Sequence, residues 1–211
     1  LKRIEKVIKN LAKNNMAGYY VERKEEVVPL LKTLIKEGDT VAVGGSMSLF
    51  ECKVIDMLRQ GNYNFLDRYK QGLTRKEIDE IYIESFSADV YLTSSNAVTE
   101  SGELYNVDGT SNRIAAIGYG PKSVIIVVGR NKIVKDIEEA IIRVKTIVAP
   151  KNAQRLGAKS YCESKNQCCI TYSDFAGCYS DGRICSNYLI CSYQQKKDRI
   201  KVIITGENIG Y

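Results

Sequence analysis

Residues 123–128, Ser-Val-Ile-Ile-Val-Val, place five β-branched side chains in an unbroken row after a serine. A strand with one face in water alternates apolar and polar residues. A continuous apolar run must instead be covered on both faces. The rest of the chain supplies the cover. Strand-like pieces at 19–21, 40–43, 62–66, 89–93 and 200–205 alternate with helical periodicity over 1–14, 24–36, 47–59, 75–86, 111–118 and 136–148. Thr74 with Glu77 three residues on forms a capping box for the 75–86 helix. Ala149-Pro150 is expected to end the 136–148 helix, with 152–156 a separate short one. The expected fold class is α/β, a mostly parallel sheet flanked by helices, in one domain over 1–211. Near Ser160, Cys, Tyr and Ser replace Val and Ile, so 160–192 reads as a cysteine-rich loop lying on that domain.

Composition then narrows the chemistry. The 211 residues contain no histidine, which excludes a Ser-His-Asp triad, a Cys-His pair and any His-ligated metal. Acid–base work falls to Asp, Glu, Lys, Tyr or Cys. The net charge of +6 is mild and both signs are interspersed, so no nucleic-acid partner is expected. No apolar run approaches the roughly 20 residues of a membrane span, and residues 1–15 lack the apolar core of a signal peptide. A cytoplasmic protein with no membrane partner is expected. The sequence opens on Leu1, so a short preceding stretch is expected. A homo-oligomer is left open.

Two polar segments follow strands. In the first, Gly44, Gly45 and Ser46 lead from strand to helix, with Ser48 and Glu51 beyond. Glycines let a backbone approach a ligand closely, and free N–H groups suit phosphate or carboxylate. The same residues also suit a plain serine-capped turn. The second runs from Ser94 to Arg113. Asn96, Thr99, Glu100, Asn106 and Asp108 can recognise hydroxyls or an amine, Thr110 and Asn112 can cap the next helix, and Arg113 can pair with an anion bidentately. Ser101-Gly102 and Asp108-Gly109 mark two turns of a hairpin. Ligands in open α/β sheets bind beyond the carboxyl ends of strands, so both segments are candidates for one pocket. Glu100 and Asp108 are the candidate catalytic carboxylates. Gly44, Gly45, Ser46, Asn96, Thr99, Asn106, Gly109, Thr110, Asn112 and Arg113 are the candidate ligand-binding residues. Lys122 and Lys132 flank the buried strand and read as surface residues, and Cys52 as core.

Of seven cysteines, six (Cys162, Cys168, Cys169, Cys178, Cys185 and Cys191) fall within thirty residues. The odd total argues against a paired disulfide framework. The spacing matches neither a zinc ribbon nor a bacterial ferredoxin. An Fe–S or zinc site and a loop of reduced, partly buried thiols both remain open.

The block Asn96-Ala97-Val98-Thr99-Glu100-Ser101-Gly102-Glu103-Leu104, with Asn106-Val107-Asp108-Gly109-Thr110, Asn112-Arg113, Tyr119-Gly120-Pro121-Lys122 and residues 127–134, resembles the LUD-domain family of lactate-utilisation proteins. So do Gly44-Gly45-Ser46 and Glu51. The resemblance implies a fold similar to the glucosamine-6-phosphate deaminase, ribose-5-phosphate isomerase and CoA-transferase superfamily, whose members bind sugar phosphates or acyl-CoA at loops after parallel strands. The C-terminal segment also resembles short members of that family, which carry four cysteines ahead of an Arg-Ile-Cys tripeptide and a closing Gly-Glu-x-x-Gly. Cys169, Cys178 and Cys185 fit, as does 206–210, but Phe175 stands at the remaining cysteine position. The resemblance implies a protein that binds a small anion or carboxylate, with redox partner subunits. An isomerase- or CoA-transferase-like enzyme using Glu100 and Asp108, or a non-catalytic binding module, are the alternatives.

Overall fold

The computed structural model describes residues 1–169 and 177–211. Among the described residues, ten strands form two sheets. β1 (Ala17–Val21), β2 (Thr40–Val43), β3 (Asn64–Leu66), β4 (Val90–Thr93), β7 (Ser123–Gly129) and β10 (Ile200–Thr205) build a six-stranded sheet in the order β3-β2-β4-β7-β10-β1. Every pairing in it is parallel. The expected α/β class is what the chain adopts. β7 shows why its run is unbroken. Val124, Ile126 and Val128 face one side of the sheet, with Val7 and Leu11 of helix α1 (Lys2–Lys13) and Ile117 of α6 (Asn112–Gly118). Ile125 and Val127 face the other, with Leu31 of α2 (Val27–Leu34), Leu49 of α3 (Met47–Glu51) and Leu58 of α4 (Val54–Gln60). The capping box forms as expected: Thr74 Oγ accepts from the Glu77 N–H and opens α5 (Arg75–Glu84).

Three local expectations need correction. The 47–59 helix is two helices, because Lys53 adopts a left-handed φ of +59° between α3 and α4. Ala149-Pro150 does not end a helix. A π-helical turn at Val144–Val148 links α7 (Ile137–Arg143) to α8 (Ala149–Leu156), and Pro150 falls in the first turn of α8, directly after that widened turn. The cysteine-rich segment is not all loop. It carries α9 (Tyr161–Lys165) and β9 (Asn187–Cys191).

β9 belongs to a second sheet of order β8-β5-β6-β9, with β5 (Ala97–Thr99), β6 (Leu104–Asp108) and β8 (Ile133–Val134). Val98, Leu104 and Ile133 join the core shared with α1 and α6, while Ala97, Tyr105 and Val134 pack on α7, the π turn and α8. The β5–β6 pair is the expected hairpin. Its tip docks on α1: Asn10 and Asn14 donate their side-chain amides to the carbonyls of Glu100 and Ser101. Gly102 has φ +87°, and a Cβ there would lie 2.8 Å from the Leu11 backbone nitrogen. Both the dihedral and the contact demand glycine. Gly102→Ala should therefore lower unfolding free energy by about 1–3 kcal/mol, read from urea melts; an unchanged midpoint would show that the tip is not docked in solution.

Among the described residues, no helix is long and apolar enough to cross a membrane.

Candidate functional site

β2 and β4 lie side by side, yet the chain leaves them in opposite directions. After β2 it passes through α3 and α4 to β3 at the sheet edge; after β4 it passes through the hairpin and α6 to β7. A crevice opens where adjacent strands part in this way. Here it is a cavity of about 280 Å³ lined by the turn after β2 (Gly45, Ser46), the segment after β4 (Ser94, Ser95, Asn96) and the stretch from the end of β6 into α6 (Asp108, Gly109, Thr110, Asn112, Arg113). The two segments singled out in the sequence do meet. Lys132, Arg68, Arg155 and Tyr211 also line it, with apolar cover from Met47, Val148, Leu156 and Ile184.

Gly44 stands behind the cavity. A Cβ on it would lie 2.6 Å from Thr93 Oγ1, 2.8 Å from the Tyr91 hydroxyl and 3.0 Å from Arg113 Cγ. The glycine is there for close packing. Ser46 caps α3, accepting from the Leu49 N–H at 3.3 Å. Arg113 is 8% exposed and its donors are committed to the protein. Nη1 donates to Ser94 O (2.9 Å) and Asn106 Oδ1 (2.8 Å), and Nη2 to Asn96 Oδ1 (3.0 Å) and Val107 O (2.8 Å). Nε lies 3.6 Å from Asp108 Oδ2. Arg113 thus ties the segment after β4 to the end of β6, rather than offering a bidentate face to a ligand. Burial pulls its pKa down, and Asp108 opposes that. Asp108 Oδ1 also accepts the N–H groups of Thr110 and Ser111, forming the expected turn. The Thr110 hydroxyl donates to Asn112 Oδ1, and Ser111 rather than either of them occupies the α6 cap. Asn106 is fully buried, with its amide nitrogen unpartnered.

Glu100 and Thr99 are not brought to the cavity. Glu100 sits at the hairpin tip, paired with Arg3 (2.8 Å) and Lys6 (2.6 Å) of α1, which hold its carboxyl below the usual range. Thr99 bonds Glu103 within the hairpin turn.

Lys132 needs the largest correction. It is no surface residue but 4% exposed, and its Nζ donates to Ser48 Oγ and Ser94 Oγ, both at 3.0 Å. Burial, helped by the nearby Arg143 and Arg113 cations, pulls its amine down to about 7. The closing Gly-Glu-x-x-Gly explains itself here. Gly210, at φ +58°, lets the tail pass against this pair: a Cβ there would lie 2.6 Å from Ser48 Oγ and 3.1 Å from Lys132 Nζ. Asn131 holds the tail through the Ile209 N–H and Gly210 O, and the Gly210 N–H donates to Glu51. Arg155 Nε donates to the Tyr211 hydroxyl at 2.7 Å. Nothing local in the sequence marks Lys132, which shares the stretch between the buried 123–128 run and Ile133-Val134 with Arg130.

The LUD-domain family model matches residues 4–205. The chain belongs to the LUD-domain family. Among solved structures, this LUD domain is similar to a DUF162 family protein from Deinococcus radiodurans at 14% identity and TM-score 0.52, covering 97% of this chain and 96% of that one, a likeness of fold. It also aligns with eIF2B beta from Chaetomium thermophilum at 17% identity, covering 57% of this chain and 42% of that one, with a TM-score of 0.38. No curated protein matches.

The cysteines of this LUD domain form a second locus. Cys162, Cys168, Cys169, Cys178 and Cys185 line a void of about 20 Å³ with Tyr105, Tyr161 and Tyr188, while Cys191 is buried in the main core and Cys52 under α2. The void has room for about one water. All seven thiols are free, and among the described residues no three Cys, Asp or Glu side chains are placed to hold a metal ion. Cys169, Cys178 and Cys185 all border that void. Phe175 lies outside the described residues.

Proposed function

We propose that this LUD domain binds a small carboxylate in the cavity between β2 and β4, as the ligand-handling part of a lactate-utilisation-type protein that works with redox partner subunits. The observation that carries the reading is the charge of the cavity wall. Lys132, Arg68 and Arg155 line it, while Asp108, the one Asp or Glu side chain on the wall among the described residues, is already engaged by Arg113 and two loop N–H groups. Arg68 is braced over the Tyr82 ring at 4.5 Å, and Arg155 by Asn152 and Tyr211. Such a wall favours an anion. A volume near 280 Å³ lies at the lower end for ligand pockets and suits a molecule of few heavy atoms.

The reading fixes a pH dependence. Lys132 carries its charge below about pH 7 and loses it above. Carboxylate affinity should be greatest below pH 7 and fall by up to about tenfold per pH unit above it. Titration calorimetry with lactate at pH 6 and pH 9 measures this. Absence of binding at both, or equal affinity at both, would overturn the reading.

A further inference from the structure

We propose that Lys132 is a nucleophilic amine, placed to form a Schiff base with a small anion that also carries a ketone or aldehyde. The inference rests on the anion-binding reading and gives the ligand a second required group.

A buried lysine that serves only the fold is ordinarily paired with a carboxylate. Lys132 has none: among the described residues no Asp or Glu oxygen lies within 4 Å of Nζ, and its partners are the hydroxyls of Ser48 and Ser94. Those hydroxyls fix the amine without neutralising it and can accept its protons while its lone pair turns to the cavity that it lines. Arg113 from α6 and Arg143 from α7 face it and favour the neutral amine, whereas Glu51 at the end of α3 and the neighbouring Cys52 oppose them more weakly. Arg143 carries a buried Nη1 with no hydrogen-bond partner, so its charge is poorly screened. Desolvation and nearby cations are how an amine is made nucleophilic at neutral pH. Arg68 and Arg155, on the same cavity wall, are left for the charged end of the ligand.

The step balances without a co-reactant. The Nζ lone pair forms a bond to the carbonyl carbon, and the C=O π electrons move to oxygen, which takes a proton passed from the amine through Ser48 or Ser94. The resulting carbinolamine loses its hydroxyl with the second amine proton as water, and a C=N bond remains. No electrons are gained or lost overall.

The test is reductive trapping on the intact chain. Protein is incubated with pyruvate or with dihydroxyacetone phosphate in the presence of cyanoborohydride, and the adduct is located by peptide mass mapping. The expected result is one adduct per chain, at Lys132, from at least one probe. Labelling by pyruvate alone assigns the charged end as a carboxylate, and labelling by the phosphate ester alone assigns it as a phosphate. The trapping rate should rise through about pH 7 and then level. Lys132→Arg should abolish the adduct. No adduct from either probe, adducts scattered over other lysines, or a rate still climbing toward the value of about 10.4 of an ordinary lysine would overturn the proposal. Lactate lacks the carbonyl and separates the two readings. If lactate binds and no adduct forms, the Schiff base fails alone; if nothing binds and nothing is trapped, both fail.

Discussion

Arg113→Met is expected to lower the unfolding free energy by about 3–5 kcal/mol, the range seen when one partner of a buried charged network is removed. Methionine keeps most of the stem packing but deletes every donor. Ser94 O, Val107 O, Asn96 Oδ1 and Asn106 Oδ1 would lose their Arg113 partner together, and Asp108 would lose its cation. Each buried acceptor left unpaired costs about 1–3 kcal/mol, moderated here because water can enter from the cavity. Arg113→Lys should recover little, since a single ammonium cannot span two acceptors on each of two sides. Urea melts of both variants measure this. A loss below about 1 kcal/mol for Arg113→Met would mean that the guanidinium does not hold the segments together.

Lys132→Met should separate stability from function. Lactate affinity at pH 6 is expected to fall by about a hundredfold, about 3 kcal/mol, the upper range for hydrogen bonds to a charged group. The unfolding midpoint should hold or rise, because the variant removes an amine that is costly to bury without an acid. The serines keep weaker acceptors: Ser48 reaches Ile209 O at 3.5 Å and Ser94 reaches Ser95 O at 3.3 Å. The sign with pH follows from linkage. The folded pKa of Lys132 lies below the unfolded one, so between about 7 and the unfolded value the unfolded chain binds more protons. Wild-type stability therefore gains with rising pH in that window and the methionine variant does not. Its advantage should be largest below pH 7 and shrink above. Thermal melts at pH 6 and pH 9 read the difference, and a variant several degrees less stable at pH 6 would contradict the account.

Where the sequence was legible, local and global demands agreed. Val124–Val128 could only be a strand covered on both faces, and Thr74 with Glu77 could only open a helix. Ser101-Gly102 likewise marked a hairpin that forms. The failures have a common origin in partners distant along the chain. Asn187–Cys191 gives little periodic signal and becomes a strand because β6 offers it an edge. Glu100 resembles a catalytic acid until Arg3 and Lys6, more than ninety residues earlier, claim it. Arg113 among asparagines reads as a ligand clamp, yet its acceptors are the chain's own. Lys132 is ordinary in its local context and unusual only in having Ser48 and Ser94 beside it and no acid.

The place of β10 in the sheet bears on how this protein is made. β10 is encoded near residue 200 but lies inside the sheet, between β7 and β1. At a synthesis rate of 5–20 residues per second, on the order of ten to forty seconds separate the emergence of β1 from that of β10. Throughout that interval β1 has no partner, and in its last part, once β7 has been made, that most apolar strand presents a bare edge to other nascent chains until β10 follows. The ribosome thus releases a chain whose strongest sheet-former is also its main aggregation hazard, and holdase chaperones have most to protect in the interval before β10 is inserted.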